Sequence, residues 1–156
     1  MLHDRGIEIS HETVRFSLPN NNSSIQAIRL ADGRIAMVLN PISAAQSDAR
    51  RASLYDEIEG GQEETEPATL DGPKAIWGVP RAPMTLAISS DGGATFPLRA
   101  DLDQSSGHAL SNNSANGVNR ELSYPSILQD ADGRLQIAYT YHRRSIRYIR
   151  LYAPPS

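Results

Sequence analysis

Residues 24–40, SIQAIRLADGRIAMVLN, and residues 124–140, YPSILQDADGRLQIAYT, lie 100 positions apart and superpose without a gap. In each, an Asp-Gly pair (Asp32-Gly33, Asp132-Gly133) separates two apolar runs, the preferred chemistry for a hairpin turn that needs a positive φ. The overlay sets Ile28 on Leu128, Ile35 on Leu135 and Val38 on Ala138, so one strand–turn–strand unit occurs twice. A further apolar run follows each copy, at 84–89 and at 146–151. Strands are therefore expected at 13–18, 24–30, 34–39, 84–89, 124–128, 134–141 and 146–151. These runs are short, rich in Ile, Val, Leu and Tyr, and broken by Asp-Gly, Asn or Pro, which is strand punctuation and not a 3.6-residue period. The expected fold is all-β, and repeated antiparallel units suggest propeller blades or another repeat architecture.

Composition narrows the chemistry. The chain has 156 residues, 39% of them hydrophobic, with 18 acidic residues against 15 Lys and Arg. That is the size and balance of one globular domain. It has no cysteine, which excludes disulfide scaffolds, Cys-ligated zinc, iron–sulfur clusters and thiol catalysis. A net charge of −3 provides no field for holding nucleic acid. No apolar stretch approaches the roughly 18 residues of a membrane span, and Asp4, Arg5 and Glu8 interrupt the place of a signal-peptide core. No membrane partner is expected, and a cytoplasmic location is the default. His3, His11, His108 and His142 lack ligand spacing, so neither a metal nor another cofactor is expected.

Between the two units, residues 43–80 carry Asp56, Glu57, Glu59, Glu63, Glu64 and Glu66 and read as a solvated, flexible acidic insertion. Leu54, Tyr55, Ile58, Ile76 and Trp77 are candidates for pinning its ends. Residues 105–119 form a second long loop, rich in Asn, Ser and Gly, whose polarity suits contact with a polar ligand. Within it His108 is the histidine to watch. The basic run His142-Arg143-Arg144, with Arg147 and Arg150, reads first as a solvated edge that discourages strand addition.

Residues 89–96, SSDGGATF, have the form S-x-D-x-G-x-T-F. Ser89, Asp91 and Thr95 can bond turn backbone, Gly93 permits a left-handed conformation, and Phe96 can pack beneath the turn. This is the Asp-box pattern, and together with 24–34, 81–93 and 121–127 in that order it resembles the BNR-repeat, sialidase-like family over roughly residues 20–151, the acidic insertion apart. The resemblance implies a six-bladed propeller in which the Asp box sits on the outer rim, in a structural role.

It also implies site residues. Arg81 stands where the family places the third arginine of a substrate-carboxylate clamp, a role suited to a planar, permanently charged fork. A surface arginine flanked by Pro80 and Pro83 is the other reading. Tyr124 stands where the family has its nucleophile, in Tyr124-Pro125-Ser126-Ile127. Sialidases depart from two-carboxylate glycoside hydrolysis, and a neutral phenol approaches the anomeric carbon of a carboxylated sugar without the repulsion an Asp or Glu would meet. A phenol of pKa ~10 needs an adjacent base. The family's Glu, its first two clamp arginines and its Asp acid/base belong to earlier blades, and Glu121, three residues from Tyr124, would sit roughly 10 Å away on an extended strand. Tyr124 as a half-buried strand aromatic therefore stays open.

Blades take roughly 40–50 residues each, so this chain holds two to three of them and cannot close a ring alone. It is expected to be the C-terminal part of a longer sialidase-like propeller, with the missing N-terminal blades as its partner and an acidic sugar or glycan as ligand. The expected activity is that of a retaining exo-glycosidase, with this portion inactive by itself. The alternative is a non-catalytic glycan-binding or scaffold propeller.

Overall fold

The computed structural model describes residues 18–21, 23–46, 79–110 and 119–155. The expected strand at 13–18, apart from Leu18, lies outside the described residues, as does the acidic insertion between 47 and 78. The described residues form seven strands, one 3₁₀ turn (Ala44–Gln46) and no α-helix, and thus no helix long and apolar enough to cross a membrane.

The first sheet holds β1 (Gln26–Arg29), β2 (Ile35–Leu39), β3 (Met84–Ser89) and β4 (Leu98–Asp103) in sequential antiparallel order. β5 (Leu122–Gln129), β6 (Arg134–Tyr141) and β7 (Ser145–Tyr152) form the second, likewise antiparallel and sequential. The two turn-matched units are thus the opening hairpins of two meanders, and both following runs are strands. β4 is the one strand here that the sequence pattern did not single out. Its alternation is buried under charge, since Arg99, Asp101 and Asp103 fall among its six residues.

In both matched hairpins glycine alone takes the left-handed conformation, Gly33 at φ 90° and Gly133 at φ 81°. Gly33 N–H donates to Leu30 O at 2.9 Å and Gly133 N–H to Asp130 O at 3.0 Å. This is a three-residue loop whose last position requires glycine, not a two-residue Asp-Gly turn.

Ala36 and Val38 from β2, Met84, Leu86 and Ile88 from β3, and Leu122, Ile127, Leu135, Ile137 and Tyr139 from the second sheet make one buried core between the two sheets. On the far side of the first sheet Met37, Leu39 and Ala87 pack with Phe96. Both faces of β2 and β3 are therefore covered, which is why they read as continuous apolar runs. The second sheet is covered on one face only. Its outward face, with Leu128, Ile146, Tyr148 and Tyr152, is exposed.

Candidate functional site

The sheets meet where the segment entering β3 lies beside the start of β5. Arg81 N–H donates to Arg120 O at 3.0 Å and Arg81 O accepts from Leu122 N–H at 2.7 Å, a parallel bridge that sets Arg81 against Glu121. Asn40, wholly buried at the end of β2, fixes both segments by donating through Nδ2 to Pro83 O (2.9 Å) and Leu122 O (3.1 Å).

Glu121 is buried, and a buried carboxylate must be paired to persist. Its Oε2 accepts from Arg143 Nε at 3.1 Å, its Oε1 accepts from Ser123 Oγ at 3.1 Å, and Arg81 Nη1 lies 3.6 Å from Oε1. The Arg81 guanidinium carbon also lies 5.9 Å from the centroid of the Tyr124 ring, within cation–π range. Arg81 is 17% exposed at its side chain, and among the described residues its guanidinium makes no closer polar contact than the 3.6 Å pair. Its N–H donors are largely unspent.

Tyr124 reaches this place through an irregularity in β5. Between Ser123 and Ser126 the strand takes three steps against two on β6, from Thr140 to Ala138, and Tyr124 has φ 52°. The extra residue reverses the inside–outside parity, so that Leu122 and Ile127, five apart, both face the core while Tyr124 turns outward, 64% exposed. The signal was Pro125, since a proline inside an apparent strand marks an edge or a bulge. Read as a regular strand, the sequence kept Glu121 away from the site. The structure brings Arg81, Glu121 and Tyr124 to one corner, with Glu121 beside Arg81.

The turn joining β6 to β7 adds Arg143. His142 and Arg143 sit at φ 52° and 55°, and Arg144 N–H closes the turn on Tyr141 O at 3.0 Å. Two consecutive left-handed residues in such a turn are ordinarily Asn-Gly, and a non-glycine residue there costs about 1–2 kcal/mol. Here the conformation is held from outside. His142 is buried, its N–H donates to Glu121 O (2.9 Å), its carbonyl accepts from Leu110 N–H (2.8 Å), and its Nε2 lies 3.1 Å from Ser105 Oγ. Burial pushes its imidazole below the ordinary 6.5, against the pull of the Asp103 carboxylate. Its Nδ1 has no partner among the described residues. The other arginines of the basic run are engaged on the exposed edge. Arg147 pairs with Asp103 and lies over the Tyr141 ring, and Arg150 pairs with Asp130 at 2.7 Å. Arg144 Nε donates to the carbonyl of His108.

The Asp box is elsewhere, past the opposite end of β3 and so roughly 17 Å of strand from Arg81. Ser89 Oγ donates to Asp91 Oδ1 (2.7 Å) and accepts from Gly93 N–H (2.8 Å). Asp91 accepts from the Thr95 hydroxyl (2.6 Å) and from Thr95 N–H (2.9 Å). These bonds, that from the Thr95 hydroxyl foremost, hold the Asp91 carboxyl well below its ordinary 3.8. Phe96 is buried beneath the turn. Among the described residues no group of three or more His, Asp or Glu could hold a metal ion.

The family model of the BNR repeat-like domain matches residues 3–137. The chain belongs to this family. Neither the curated proteins nor the solved structures give a match. The BNR repeat-like match takes in Arg81, the Asp box, Glu121 and Tyr124, and it ends within β6, before His142 and Arg143.

Proposed function

We propose that this BNR repeat-like chain supplies two blades of a sialidase-like propeller and that its corner of Arg81 and Tyr124 takes a terminal acidic sugar. The observation that carries the reading is the under-used Arg81 guanidinium, braced by buried Glu121 and set 5.9 Å from the ring of an exposed tyrosine. A planar fork with free donors fits a sugar carboxylate bidentately. The phenol beside it is the group to meet the anomeric carbon, forming a glycosyl–tyrosine bond as the leaving alcohol departs with a proton, after which water releases the sugar with retained configuration. The exposed outer face of the second sheet, with Leu128, Ile146 and Tyr148, is where a further blade would pack.

Hydrolysis of a 4-methylumbelliferyl sialoside by the longest natural chain that carries these residues tests the reading. Arg81→Lys is expected to lower kcat/KM about a hundredfold through loss of bidentate contact, and Tyr124→Phe to lower kcat at least as much. Equal rates in wild type and both variants would discard the two roles.

One observation favours a second reading, binding without turnover. The Glu121 carboxylate is taken up by Arg81, Arg143 and Ser123, and no described residue hydrogen-bonds the Tyr124 hydroxyl. Saturable binding of N-acetylneuraminate with no release of fluorophore would select that alternative.

A further inference from the structure

We infer that Arg143, at the tip between β6 and β7, is a second guanidinium of the ligand site and forms with Arg81 an arginine pair spaced by Glu121. The inference rests on the acidic-sugar reading of this corner and adds a residue that the sequence pattern assigned to a solvated edge.

Three observations carry it. Arg81 and Arg143 approach different oxygens of one buried carboxylate, Oε1 and Oε2, so a single negative charge separates two positive ones. Arg81, Arg143 and Glu121 together carry one net positive charge, which an incoming carboxylate would neutralise. Second, Arg143 touches Glu121 through Nε alone, and among the described residues its terminal nitrogens have no partner, while its side chain is 33% exposed. Its outer N–H groups remain available to solvent or ligand. Third, the backbone conformation from which Arg143 reaches Glu121 is one that an arginine adopts at a cost, held by the bonds of His142 to Glu121, Leu110 and Ser105. A turn whose sole task was to reverse the chain would be served by glycine at φ 55°.

The pair fits a ligand with one carboxylate beside neutral hydroxyls. Each guanidinium offers N–H donors in a plane, and two of them can share the two oxygens of one carboxylate. Glu121 acts as a positioning residue: it fixes the spacing and keeps both forks from collapsing onto other acids.

The test is the affinity of the full chain for N-acetylneuraminate and for its C1 methyl ester, measured by titration calorimetry. Arg143→Gln and Arg81→Lys are each expected to raise Kd for the acid about tenfold, with Arg143→Lys intermediate and Arg144→Gln unchanged. The ester is expected to bind weakly and equally to wild type and Arg143→Gln, which a merely structural role would not produce. Arg143→Gly keeps the turn, since glycine relaxes the left-handed position, and is expected to lose affinity like Arg143→Gln while melting within a few degrees of wild type. Loss of affinity in Arg81→Lys with none in the Arg143 variants would overturn the arginine pair and leave the acidic-sugar site standing. No binding by wild type, or binding indifferent to Arg81→Lys, would remove the site reading itself, and the pair with it.

Discussion

At the corner between β3 and β4 the left-handed residues are Gly92 (φ 74°) and Gly93 (φ 98°), whereas at the corner between β6 and β7 they are His142 (φ 52°) and Arg143 (φ 55°). The first corner is self-contained. Ser89, Asp91 and Thr95 satisfy one another and the turn backbone within four residues. The second borrows its support from Ser105, Leu110 and Glu121, 37, 32 and 21 or 22 residues back in the chain. Glycine makes the first corner inexpensive, and the second stores strain that distant contacts offset. Strain of that kind persists where the surroundings over-determine it, and here it delivers a guanidinium to a buried carboxylate.

The comparison is broken most severely by removing the aromatic that anchors the self-contained corner to the first sheet. Phe96 packs on Met37, Leu39 and Ala87. Phe96→Ala is expected to cost about 3–4 kcal/mol in urea unfolding through lost burial and a cavity. A loss under about 1 kcal/mol would mean that the hydrogen-bonded turn stands without its aromatic floor.

The same contrast explains what could be read in advance. The meander order, the paired hairpins and the Asp-box corner depend on neighbours in sequence, so alternation, Asp-Gly and S-x-D-x-G-x-T-F reported them. The expected bounds of β3 and β6 needed no correction for the same reason. β4 escaped because Arg99, Asp101 and Asp103 alternate with residues that only tertiary contact marks as inward. The site was half legible. Arg81 and Tyr124 stood out through family resemblance, but the company they keep depends on a bulge at Pro125 and on a bridge joining residues 81 and 121. Arg143 was hidden because nothing in His142-Arg143-Arg144 announces a positive φ.

Acid sharpens the comparison, since each corner has its own titrating group. Hydrogen bonds from Thr95 and Ser89 depress the Asp91 carboxyl below its ordinary 3.8. A depressed acid stabilises the fold above its unfolded pKa, and that contribution drains away as pH falls toward the folded value. Asp91→Asn is therefore expected to melt several degrees below wild type at pH 7. The gap should narrow from about pH 4 downward. A gap that stays constant between pH 7 and pH 3 would show that shape, not charge, matters at position 91.

The smallest effect belongs to His142, and its window lies higher. Burial lowers its pKa from 6.5, with Asp103 opposing and His108, Arg144 and Arg147 adding to the fall. The folded protein holds the ring neutral while the unfolded chain takes up a proton below about 6.5, so stability declines as pH drops through that value and goes on declining until the lowered folded pKa is reached. Asparagine tolerates the left-handed region and carries no titrating group. His142→Asn is thus expected to remove part of the stability slope between pH 6.5 and pH 5 while leaving the Asp91 window below pH 4 intact. If the variant keeps the full slope, the ring takes up its proton alike in the folded and the unfolded chain, and burial at the β6–β7 tip does not hold it neutral.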